Sequence, residues 1–117
     1  MAMGRKKEKS IQKVYQFEIR GEKWTARVLS SKYFDKLHSD STDANALCWK
    51  EKRLIDFRKL TLHIVRHELF HAYYSTLFLD DTDVRASDIE EMLANFLPTY
   101  AQEYLKKSRE IYSALKK

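Results

Sequence analysis

The chain has 117 residues, 44% of them apolar and 33% charged, a balance that fits one globular domain with its own core and excludes disorder as its main state. With only Gly4 and Gly21, every Gly-rich phosphate cradle is excluded. A lone Cys48 excludes an internal disulfide and a multi-cysteine zinc cluster, so a reducing, cytoplasmic setting is expected. The net charge of +5 invites a nucleic-acid reading, until it is located. Residues 1–10 set Arg5, Lys6, Lys7 and Lys9 against Glu8, for +3. Residues 106–117 set Lys106, Lys107, Arg109, Lys116 and Lys117 against Glu110, for +4, which leaves the body at −2. The sequence thus divides into a basic N-terminal tail (1–10), one domain (11–105) and a basic helical tail (106–117). Nucleic acid is expected to meet the chain only through those tails.

No run approaches the ~18 apolar residues of a membrane span, and no apolar stretch follows the first basic residues as in a signal peptide. Tyr15, Phe17 and Ile19 alternate with Gln16, Glu18 and Arg20, and Trp24, Ala26 and Val28 repeat the pattern past Gly21. That is a β-hairpin. Ser30 or Ser31 caps a short helix through Leu37, and a polar loop spans His38 to Asn45. Leu47–Trp49 and Leu54–Phe57 form a second hairpin. From about Arg58 the period becomes 3.6, giving an apolar helix to about Leu79. An acidic loop, Asp80 to Ala86, precedes a last helix capped by Ser87. Its apolar face holds Ile89, Met92, Leu93, Phe96 and Leu97, and Pro98 kinks or restarts it. Tyr100, Tyr104, Ile111, Tyr112 and Leu115 continue the stripe. The expected class is α+β.

Within the apolar helix stands His67-Glu68-Leu69-Phe70-His71, an HExxH motif. Residues four apart share a helical face, so both imidazoles reach one metal ion. Glu68, offset by one position, falls beside the ion's open site, where it takes a proton from water. The competing reading, two solvated or core histidines, leaves a charged Glu68 in a largely buried segment. A catalytic zinc site takes three protein ligands. Other donors are His38, Cys48, His63 one turn before His67, and the pair Glu90 and Glu91, the first separated from His71 by the eighteen residues Ala72 to Ile89.

HExxH followed at this distance by a glutamate resembles the gluzincins, zinc metallopeptidases whose third ligand is a glutamate on the next helix. The size, the upstream hairpin and the closing E-E-M-L-A-N-F-L-P are similar to the compact ImmA/IrrE-like, phage-type peptidases and the minigluzincins. The resemblance spans about residues 45–100 and implies a small zincin-like domain, with Zn2+ held by His67, His71 and a glutamate. Glu90 lies at the flank of the last helix's apolar face, with Leu93 and Leu97, whereas Glu91 falls nearly opposite it. Glu90 is therefore preferred and Glu91 is the alternative, although Ser87-x-x-Glu90 also reads as a capping box. The position four past Glu90, where many gluzincins hold an acid behind a zinc histidine, is Ala94.

The implied chemistry is peptide hydrolysis with Glu68 as general base and Tyr74 or His63 beside the oxyanion. The substrate is a peptide or protein laid along an edge strand, either Leu47–Trp49 or Leu54–Phe57. An alternative is a catalytically silent module of a phage or mobile element that contacts nucleic acid or a partner protein through the basic tails. A third is a structural zinc site closed by His63 or His38.

Overall fold

A computed structural model describes residues 10–41, 43–78 and 86–117. The basic segment 1–9, the end of the apolar helix at Leu79 and the acidic connection up to residue 85 lie outside them.

The N-terminal hairpin is β1 (Ile11–Ile19) and β2 (Glu22–Leu29), paired antiparallel. Its two-residue turn, Arg20-Gly21, has positive φ at both positions (51° and 86°), the geometry whose twist matches a hairpin. Ser30 caps α1 (Ser31–Leu37): its hydroxyl accepts the Tyr33 N–H. After a 3-10 turn at Ser39–Ser41 come β3 (Ala46–Trp49) and β4 (Leu54–Phe57), an antiparallel pair joined by a 3-10 turn at Lys50–Lys52. That turn closes with Arg53 in the left-handed region, φ 50°.

The four strands make one sheet in the order β1-β2-β4-β3, with β2 and β4 parallel. The second hairpin therefore docks by its later strand, which pairs β4 on both sides and leaves β3 at the edge. Of the two segments expected to offer a free edge, Leu54–Phe57 does not.

Helix α2 spans Leu62–Phe78. It starts four residues later than the periodicity suggests, because Arg58 and Lys59 give their N–H groups to the Asn45 carbonyl (2.8 and 3.0 Å) and Thr61 Oγ1 accepts the Ile64 N–H. Helix α3 (Ala86–Leu115) is already under way at Ser87, so Ser87 is not its N-cap, and it continues through Pro98 without a break. Pro98 has no N–H to give the Ala94 carbonyl, and Ala94 is exposed, where the loss costs least. No helix among the described residues is long and apolar enough to cross a membrane.

Phe17, Ile19, Trp24, Ala26, Ile55 and Phe57 turn one sheet face to α2 and α3, where Val65, Leu69, Ala72 and Tyr73 meet Phe96, Ile111 and Leu115. The helices join through edge-on rings: Phe96 lies 5.4 Å from Phe70 and 5.8 Å from Tyr73. Tyr73 Oη donates to Glu103 (2.6 Å), and burial with that bond pushes the phenol well above its usual range. Buried Ser108 lets the helices approach and accepts from Arg66 Nε at 3.0 Å.

The boundary that charge draws at residue 105 is thus not a boundary of packing. Residues 106–115 are the last turns of α3, Ile111 and Leu115 are core, and Lys107 Nζ donates to the Glu18 carbonyl (2.6 Å). Removing residues 106–117 strips both side chains from the core and is expected to leave the chain unfolded at 25 °C by circular dichroism. Ile111→Ala should cost about 2–5 kcal/mol in urea denaturation, whereas neutralising the exposed Lys106 and Arg109 should move stability by no more than ~0.5 kcal/mol.

Candidate metal centre and substrate groove

Helix α2 lies beside β3, and its apolar residues face the sheet and α3. What remains toward solvent is a stripe at four-residue spacing: His63, His67 and His71 are all exposed. The His67 and His71 rings sit 5.1 Å apart, nearly perpendicular, and the His67 side chain is 62% accessible. Two imidazoles one turn apart and open to solvent are a donor pair that suits a single ion.

Glu68 stands between them in sequence but not in environment. Its side chain is only 10% accessible, and one carboxylate oxygen lies 3.9 Å from His67 Nε2. The Cys48 main-chain N–H donates to it from β3. Burial raises the carboxyl above its ordinary range, against the opposing pull of the His67 ring and of that N–H.

The bond also orients the strand. An N–H given to Glu68 points away from β4, and main-chain groups alternate along a strand, so those of Ala46 share the outer edge with those of Cys48. A cleft of about 340 Å3 opens there, between Ala44, Asn45 and Ala46 on one wall and His63, Ile64, His67 and Glu68 on the other. Tyr74 does not line it. It lies farther along α2, with the Lys50 ammonium 6.0 Å over its ring.

The Ala44–Ala46 wall is held from behind. The Arg58 guanidinium donates to the Ala44 carbonyl and to Asp35 of α1, and lies 4.8 Å over the Phe34 ring. Nearby, Asp56 of β4 is buried on the sheet face under α1. It receives Arg27 through both oxygens (2.7 and 2.9 Å) and contacts His38 Nε2 at 2.8 Å. The hydrogen bond to Asp56 holds the Arg27 guanidinium above its usual pKa, outweighing its partial burial. His38, a candidate fourth ligand from sequence, is therefore engaged across the sheet from the histidine stripe. This network went unread in the sequence; its one signal was an aspartate inside the apolar run Leu54–Phe57.

Glu90 and Glu91 are both exposed on α3. Leu93 and Leu97, on the same stripe as Glu90, are exposed as well, and the buried stripe begins at Phe96. Among the described residues, no third His, Cys, Asp or Glu joins the histidine pair in a metal-holding group. Comparisons of the chain with protein-family models, curated proteins and solved structures found no match.

Because burial raises the Glu68 carboxyl, folding favours its protonated form. Its contribution to stability is fully present below the unfolded pKa and is lost as pH rises through the folded one. Metal-free Glu68→Gln, which has no charge to bury, should therefore be more stable than the parent chain at pH 7. The gap should close as pH falls into the ordinary glutamate range, as read from melting temperatures between pH 4 and 8.

Proposed function

We propose that this chain is a zinc-dependent metallopeptidase of gluzincin type. One observation carries the reading: a buried carboxylate, Glu68, fastened to the main chain of an edge strand and flanked by an exposed histidine pair. A carboxyl held above its ordinary pKa beside a solvent-open cleft is suited to accept and return a proton.

In this reading His67 and His71 hold the ion and Glu90 completes the set, with Glu91 as the alternative. When bound, zinc supplies Lewis acidity, polarising a carbonyl and acidifying water. Glu68 takes the proton of the attacking water and passes it to the leaving amide nitrogen. The peptide adds to the outer edge of β3, where Ala46 offers main-chain hydrogen bonds regardless of substrate sequence. His63, which lines the same cleft, and Tyr74 are the candidate donors to the oxyanion.

The exposed position of Glu90 favours a second reading, a metallopeptidase-like module without turnover. In that reading nucleic acid or a partner protein meets the exposed cations of residues 106–117, Lys106, Arg109, Lys116 and Lys117.

Zinc titration of the chelator-treated protein by calorimetry separates the readings. One ion per chain is expected, with affinity falling more than about 100-fold in His71→Ala, beyond what outer-sphere changes produce. Glu90→Ala should weaken zinc more than Glu91→Ala. Glu68→Gln should keep zinc and lose about 10²–10⁴-fold in cleavage of an unfolded, fluorescently labelled protein. Zinc without cleavage would favour the silent module; no zinc binding would overturn both.

A further inference from the structure

Helix α3 buries one side only. Phe96, Ser108, Ile111 and Leu115 are buried against the sheet and α2, and Tyr100 and Tyr104 pack beside them. Glu91, Ala94, Pro98, Ala101, Leu105 and Arg109 follow one another at steps of three or four residues, so they share one face of the helix. At about 100° per residue, that face lies about 120° round the helix from the buried side. Ala101 is half-buried there and the other five residues are exposed. Leu97, on the rim of the same face, is 59% exposed, the most of any large apolar side chain among the described residues. A helix that only closed its own core would carry charge in the middle of its outer face; α3 carries it at the two ends.

The order of those charges points to what covers the face. Glu91 makes one end acidic, Arg109 makes the other basic, and each lies nine residues from Tyr100. Two copies of the helix laid antiparallel about a two-fold axis at Tyr100 set Glu91 of each against Arg109 of the other. The same register drops each Leu105 between Ala94 and Pro98 of the second copy, where small side chains leave room for it. A parallel pair would instead set Glu91 on Glu91 and Arg109 on Arg109. A lipid surface would leave the acidic end without a counter-charge.

We propose that this chain forms a homodimer through the outer face of α3. Two copies pack antiparallel, with a Glu91–Arg109 pair at each end of an apolar seam built from Ala94, Leu97, Pro98, Ala101 and Leu105. The seam spans about 27 Å at 1.5 Å per residue, a contact at the small end of specific interfaces. The dimer is therefore reversible, with a dissociation constant on the order of 10 µM. It draws on no residue of the preferred zinc set and stands apart from the peptidase reading.

Sedimentation velocity of the full-length chain, from about 1 to 200 µM in about 50 mM salt, reads the dimer directly. The sedimentation coefficient should rise with concentration through a midpoint on the order of 10 µM, with or without EDTA. Leu97→Glu and Leu105→Glu should each stay at the monomer value throughout the range; both sites are exposed, so these variants are expected to keep the fold. Glu91→Arg and Arg109→Glu should each weaken association about tenfold. The double variant, which restores opposite charges across the axis, should return to within about threefold of the parent. A parent chain that stays monomeric at the highest concentration, or a dimer that both leucine changes leave intact, would overturn the proposal. A double variant no tighter than the singles would overturn the antiparallel register. Association lost in EDTA would reassign the contact to a bridging metal and so overturn the helix face as its seat.

Discussion

One hydrogen bond organises the half of this molecule that carries the HExxH helix: the Cys48 N–H of an edge strand held by the carboxylate of Glu68. A buried carboxylate without a donor costs several kcal/mol, so the contact is what makes the helix face tolerable. It fixes α2 against β3 in register, turns the remaining main-chain groups of β3 outward, and places an acid–base group at the rim of a cleft. The histidine stripe can then stay in solvent, since the helix is anchored by the residue between the two histidines of the motif.

The edge strand itself depends on the opposite sheet face. Asp56 stands opposite Arg27 in the β2–β4 register and opposite Leu47 in the β3–β4 register, so the ion pair ties the two hairpins across their only joint. A parallel pair is slightly weaker per residue than an antiparallel one, and a bidentate guanidinium–carboxylate pair at that seam adds geometric specificity. His38 brings the end of α1 to the same carboxylate. Arg58 bonds both α1 and the Ala44 carbonyl, so the cleft wall inherits the rigidity of a small second core.

Local order was readable from the chain where side-chain period and backbone chemistry agree. Tyr15, Phe17 and Ile19 mark β1, Gly21 its turn, Ser30 the cap of α1, and the spacing of His67 and His71 a shared face. Long-range order was not. Nothing in Leu54–Phe57 says that it pairs β2 on one side and β3 on the other, because strand order is settled by which buried faces fit together. Asp56 could have warned of a buried ion pair, since an aspartate between Ile55 and Phe57 faces the other way and requires a partner there. The C-terminal segment misled for the opposite reason. Its apolar stripe was legible, since Ile111 and Leu115 continue the spacing of Tyr100 and Tyr104 and are core, yet its five cations set it apart as a tail. Charge on a helix's outer face says nothing of what its inner face buries.

The same distinction bears on the site. Helix α2 breaks the rule that a core-facing helix buries its apolar residues and exposes its charges: it buries a glutamate and exposes a row of imidazoles. A chain that needed only a stable helix would place a leucine at position 68, adding apolar burial and removing a desolvated carboxyl. Keeping Glu68 lowers stability at neutral pH, because folding favours its protonated form. Departures of this kind concentrate where chemistry is done. The destabilising residue, more than the motif's spelling, is what marks this helix as the candidate site.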